Sequence, residues 1–177
     1  QWTPGNIYQL NGMVFVRSNA VLNIEAGTVI KGHNLGTFST NVGSLVVCRG
    51  GKLYAGGTPQ NPIIFTADVD DTNLPDDVGI YQRGLWGGVV LLGRTTINGA
   101  LDVSGNAATP KYEVYEGLPD LTVDGEALLR FGGTDDNDSS GVLRYVSIRH
   151  GGALLATDKE INGLSLGAVG RGTTIEF

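Results

Sequence analysis

Apolar and polar residues alternate along this chain in short bursts, and the phase of the alternation slips wherever a glycine or a tight corner intervenes. Val21–Glu25 alternates cleanly, Ala26 and Gly27 break the pattern, and Thr28–Gly32 resumes it. Ser44–Arg49 repeats the arrangement, followed by Gly50, Gly51 and Lys52–Ala55, and Pro62–Thr66 is a further β-rich run. The stretch Ser140–Gly152 is the most informative. Leu143 and Tyr145 fall on one side with Arg144 opposite, whereas Val146 and Ile148 share a face with Ser147 and Arg149 opposite. Strand side chains alternate with period two, so this one-residue slip predicts a sharp bend between two short strands, closed by Gly151 and Gly152.

Similar units recur about every 20 to 25 residues, a spacing typical of solenoids. Gly27-Thr28 is echoed at Gly57-Thr58 and Gly172-Thr173, and Ile161–Gly170 reads as one more turn. Asn6–Gly12 and Met13–Val16 read as an opening pair of strands. Leu85–Gly93 is apolar throughout, the pattern of a strand covered on both faces. Two stretches interrupt the series: Asp68–Arg83, with five aspartates, and Ser104–Gly125, with prolines and several charges, both expected to be exposed excursions. Glu126–Arg130 is the best local helix former and is short.

An antiparallel sandwich is the competing architecture, because Asn11-Gly12, Asn98-Gly99, Asp124-Gly125 and Asn162-Gly163 are two-residue hairpin signals. The likeness of successive units and the phase slips inside them favour stacked parallel rungs of three short strands. The expectation is an all-β, single-stranded parallel β-helix (solenoid) with two longer loop excursions, one domain over residues 1–177.

Composition narrows the partners. The 177 residues include 28 glycines and only 6 prolines, with no collagen-like period. Net charge is −6 and the 12 basic residues are scattered, which argues against nucleic acid. No apolar run approaches the ~18 residues of a membrane span. Cys48 is the sole cysteine, so neither an internal disulfide nor a cysteine metal site is available, and its apolar neighbours predict burial.

Further motifs carry a resemblance. Tyr8–Gly12, Val14–Val16 and Leu22–Gly32, followed by Gly51–Ala55, Pro62–Thr66, Trp86–Gly88, Glu116-Gly117, Phe131–Gly133, the 140–152 stretch and Glu160–Leu164, together resemble a family of secreted or surface-attached bacterial right-handed β-helix proteins. That family is similar to the wider pectate-lyase-like architecture. The resemblance implies a right-handed coil and an extracellular or outer-surface address; it implies no reaction.

Candidate chemistry is sparse. Asp135, Asp136, Asn137 and Asp138 form the densest oxygen-ligand cluster and suit a hard cation such as calcium, although no EF-hand spacing accompanies them. Asp68, Asp70, Asp71, Asp76 and Asp77 form a second acidic group, read as surface charge. A polysaccharide lyase on this architecture would set aspartates beside an arginine, for which Arg144 and Arg149 are candidates. A glycosidase would draw on Glu113, Glu116 and Asp120, and Trp2, Trp86 and Tyr112 could stack on sugars, though Trp86 reads as core. Ser140 and His150 could join an aspartate on paper, without the Gly-x-Ser-x-Gly context that positions a nucleophile. His33 reads as a loop residue. The threonine pairs 95–96 and 173–174 fall short of an ice-binding array.

Thr174–Phe177 is strand-like and lacks a polar cap. Open rungs expose unpaired backbone groups, so this edge is expected to be completed by a continuation of a longer protein or by another copy, whose head-to-tail stacking would give a filament. The functional expectation is an extracellular structural or adhesive scaffold in contact with polysaccharide or a cell surface. The alternative is a carbohydrate-active enzyme, either a polysaccharide lyase or a glycoside hydrolase.

Overall fold

The computed structural model describes residues 1–34, 41–98 and 111–177, and no helix occurs among them. The strands of the coil are β1 (Ile7–Leu10), β2 (Met13–Val16), β3 (Val21–Ile24), β4 (Val29–Gly32), β5 (Ser44–Val47), β6 (Lys52–Gly56), β7 (Ile63–Ala67) and β8 (Val89–Leu92). Short strands follow at β9 (Glu113–Val114), β10 (Thr122–Val123), β11 (Glu126–Ala127) and β12 (Arg130–Phe131). The coil resumes with β13 (Gly141–Arg144) and β14 (Val146–Ile148), departs through β15 (Leu154–Ala156) and β16 (Lys159–Glu160), and returns in β17 (Leu164–Gly167) and β18 (Thr174–Glu176).

Three four-stranded sheets result: the first in the order β1-β4-β7-β14, the second β2-β5-β8-β17 and the third β3-β6-β13-β18. Every ladder within them is parallel. The chain passes from first sheet to second to third and then rises one level, so the fold is a parallel β-helix and not a sandwich of hairpins. Of the hairpin signals, Asp124-Gly125 alone forms a described two-residue hairpin, between β10 and β11, with both residues at positive φ (50° and 79°) as a type I′ turn requires. Asn11-Gly12 is instead a corner between sheets, which separates the expected opening pair. Asn98-Gly99 extends into residues outside those described, as does the 104–110 part of the second excursion.

The register stacks like on like. Val14, Leu45, Val89 and Leu164 form one inward column of the second sheet; Val16, Val47, Leu91 and Leu166 form the next. In the third sheet Ile24, Ala55, Leu143 and Ile175 align, and in the first Tyr8, Ile30, Phe65 and Ile148. Each rung therefore covers the apolar residues of the rung before it. Trp86, fully buried, enters this core beside Gly32, where an added Cβ would stand 2.5 Å from the indole Cε3, and its ring lies parallel to Phe65 with centroids 6.3 Å apart. A side chain at Gly32 and the indole cannot share that space.

The bend foreseen in the 140–152 stretch lies at Tyr145, the single residue between β13 and β14, with φ of 48°. Leu143 points into the core, but the left-handed corner turns Tyr145 outward onto Phe177. This corrects the shared facing of Leu143 and Tyr145 that simple alternation gives.

The second excursion departs further from expectation. Its described part does not lie free in solvent: Leu118, together with Leu128 and Leu129 just beyond the excursion, is buried against Val46, Val90 and Leu92 on the outer side of the second sheet. Glu126–Arg130 contributes to β11 and β12, not to a helix, because packing on that sheet outweighs its weak helical propensity. The cover explains why β5 and β8 are apolar on both faces, as Leu85–Gly93 foretold. Arg17 clamps it to the coil, bonding Glu126 at 2.8 Å and Asp124 at 2.9 Å.

Candidate functional site

An open cleft of about 570 Å³ lies where the first excursion, residues 68–83, meets the end of β14. Its size falls in the range of small-ligand pockets. Two segments build it. The excursion delivers Asp70, residues 72–78, Ile80 and Gln82, and the end of β14 delivers Ile148 with Arg149 and His150 just after it.

Asp70 is the buried polar group of the cleft, 4% exposed, and accepts a hydrogen bond from the Thr66 hydroxyl. Arg149 Nη1 stands 3.9 Å from its carboxylate, while Arg149 Nε donates to the Ser147 hydroxyl at 3.1 Å. The Arg149 backbone is fixed on both sides: its N–H donates to Phe65, and its carbonyl accepts from the Trp86 indole at 2.6 Å. His150 follows at φ 56°, a left-handed angle rare outside glycine, and its carbonyl accepts from Leu85 N–H. Its Nδ1 lies 2.8 Å from the carbonyl oxygen of Gln82. A carbonyl can only accept, so Nδ1 carries the proton in the neutral ring and Nε2 keeps its lone pair.

The remaining carboxylates shape the loop. Asp77 accepts the amides of Asp71 at 2.6 Å and Val78 at 2.8 Å. Asp71 accepts from Asn73, whose backbone N–H holds its carboxyl below the usual carboxylate range. Asp76, at φ 62°, is exposed beside them. Leu74, Pro75, Val78, Ile80 and Ile148 give the cleft apolar walls.

Other sequence candidates lie elsewhere. Asp135, Asp136 and Asp138 each cap backbone N–H groups, of Asn137, Thr96 and Arg94 respectively, and the Thr96 amide holds Asp136 below its ordinary range. Among the described residues no group of three or more histidine, cysteine, aspartate or glutamate side chains is placed to hold a metal ion. Arg144 pairs with Glu176 at 2.6 Å, and Arg149 faces Asp70 and not the 135–138 loop. Glu116 bonds Lys159 at 2.6 Å, Asp120 is paired with Arg130, and Glu113 lies in β9. Among the described residues no hydrogen bond joins Ser140 to His150. His33 pairs with Asp68 next to a second opening lined by Asn34, Val69 and Gly84. Trp2 stacks on Tyr8, Tyr112 lies under the Arg49 guanidinium, and Trp86 is core.

The coil also presents an apolar end. On the rung of β14, β17 and β18, Leu166 is 52% and Ile175 45% exposed, although their stack-mates Leu91 and Leu143 are buried. Ile175 borders a recess of about 210 Å³ together with Phe177, Leu164 and Ile148.

The cleft was only partly legible in sequence. In sequence Asp70, Asp76 and Asp77 read as surface charge and Arg149 stands with Arg144 as a lyase candidate beside residues 135–138; Gln82, which orients His150, gives no signal. Contact between positions some 80 residues apart follows from the rung register, which a single sequence does not state.

The family model for the pectate-lyase-like beta helix domain matches residues 1–177. The chain belongs to that family, and the stacked parallel ladders agree with it. No curated protein and no solved structure matches it. Among the described residues no helix is long and apolar enough to cross a membrane.

Proposed function

We propose that this β-helix is an extracellular structural or adhesive scaffold at a bacterial cell surface, whose end rung of β14, β17 and β18 stacks against further parallel rungs. The half-exposed Leu166 and Ile175 carry this reading. Both continue inward columns that are buried at every preceding level, and covering them would remove apolar area worth about 25 cal/mol per Å². Three parallel strand edges beside them offer backbone donors and acceptors to a matching rung. A second copy stacked head to tail supplies such a rung, and repetition gives a fibre. The supporting experiment is light scattering with negative-stain imaging over a range of concentrations. Wild-type protein should form linear assemblies that Leu166→Asp with Ile175→Asp abolishes. A wild-type monomer at all concentrations overturns self-stacking.

A second reading is a carbohydrate-active protein on the same coil. The cleft favours it, since Asp70, Arg149 and an oriented His150 converge there beside apolar walls. Incubation with polysaccharides tests catalysis through the appearance of unsaturated or reducing-end products. Calcium at residues 135–138 is a separate proposal, tested by calorimetric titration of the chelator-treated protein.

A further inference from the structure

We propose that the cleft between the first excursion and β14 recognises a glycan carrying free amino groups, and discriminates against polyuronates; the inference rests on the carbohydrate reading. Charge and shape carry it together. Asp70, Asp76 and Asp77 line the cleft and Arg149 is the guanidinium among them, so carboxylates outnumber the guanidinium three to one. Arg149 faces the buried Asp70 at 3.9 Å and is compensated by it. Asp77 accepts two loop amides, and Asp76 is exposed. Among the described lining residues Arg149 is the one cation, so a carboxylate ligand would meet these last two carboxylates while the guanidinium faces Asp70. An ammonium would meet two acceptors.

The rest of the lining suits a sugar ring. Leu74, Pro75, Val78, Ile80 and Ile148 offer aliphatic surface for its C–H face, and Thr72, Asn73 and Gln82 offer both donors and acceptors for hydroxyls. His150 Nε2, left as an acceptor by the Nδ1 bond to Gln82, adds a site for a hydroxyl or ammonium proton. The site is built and not incidental: Asp70 is 4% exposed, the Arg149 N–H is bonded to Phe65 of β7, and the His150 carbonyl accepts from the Leu85 N–H.

The test is calorimetric binding of three oligosaccharides of equal length, a glucosamine oligomer, its fully N-acetylated form and an oligogalacturonate, to the whole chain. The glucosamine oligomer should bind about tenfold or more tightly than the acetylated form, a difference of one favourable charge contact, and the galacturonate should not bind. Asp76→Asn should weaken the amine-bearing ligand several-fold with unchanged melting temperature, and added salt should weaken it further. Preference for the galacturonate, equal binding of the acetylated form, or an unaffected Asp76→Asn variant overturns the amine assignment while leaving the carbohydrate reading intact. Absence of binding by all three overturns both.

Discussion

Tyr145 and Phe177 occupy the same corner on successive rungs: both have left-handed backbone angles, φ 48° and 66°, and their rings lie 4.7 Å apart within 7° of parallel. Arg144 and Glu176, the residues before them, are register partners. The corner thus pairs backbone strain with an aromatic stack that offsets it. A β-branched residue fits this backbone region poorly. Tyr145→Ile should therefore lose both the stack and the tolerated angle, lowering stability by about 2 kcal/mol. Tyr145→Asn, which accepts left-handed angles, should lose less. Denaturant unfolding of the two variants checks the order, and equal losses would mean that the corner angle carries no cost.

Glycines separate packing from conformation in the same way. At Gly32 the indole of Trp86 fills the space of a side chain, so Gly32→Ala should cost about 1 to 3 kcal/mol by overpacking. Gly141, at φ 111°, has the Leu53 carbonyl where its Cβ would stand, and Gly141→Ala should cost at least as much. Gly56 has nothing within 4 Å and no positive φ, so Gly56→Ala should be neutral or slightly stabilising. Thermal melts of the three variants check the ranking. A destabilised Gly56→Ala would contradict the register placed there.

The coil itself was legible because its signals are local. The slip at Tyr145 marks a bend, Leu85–Gly93 announces a doubly covered strand, and the echo of Gly27-Thr28 in Gly57-Thr58 marks the same corner between third and first sheets. Two features were not legible. Leu118 sits within a polar, proline-bearing stretch and Leu128 and Leu129 in the short helix-forming run after it, and nothing in their spacing says that they cover Val46 and Val90. The cleft depends on stacking β14 against β7, which brings Arg149 to Asp70. Local alternation fixes which way a side chain points along its own strand, while the neighbour it meets is decided by the length of each excursion.

Cys48 tests the cover over the second sheet. It is buried among Val46, Leu92 and the covering segment, and burial pushes its thiol up to about 12. The thiolate is the reactive form. Native protein at pH 8 should therefore react with a thiol reagent orders of magnitude more slowly than unfolded protein. Loosening the cover by Leu129→Ala should restore part of the reactivity before global unfolding. Fast labelling of the native wild type would show that the cover is open in solution.

The pH dependence of that cover rests on Glu126. Burial acts to raise its carboxyl, but the Ser18 amide at 2.7 Å and the Arg17 guanidinium outweigh burial, and the net displacement is downward. A carboxyl lowered on folding adds stability that is fully present above its unfolded value, about 4.3, and is lost as pH falls through the lower folded value. Stability should therefore hold between pH 7 and 5 and decline below about 4, with Arg17 and Ser18 releasing the covering segment first. Glu126→Gln should reduce stability at pH 7, flatten that decline, and speed hydrogen exchange at Ser18. An unchanged acid profile in the variant would assign the acid sensitivity to other carboxylates, of which Asp120, held low by Arg130, is the next to examine.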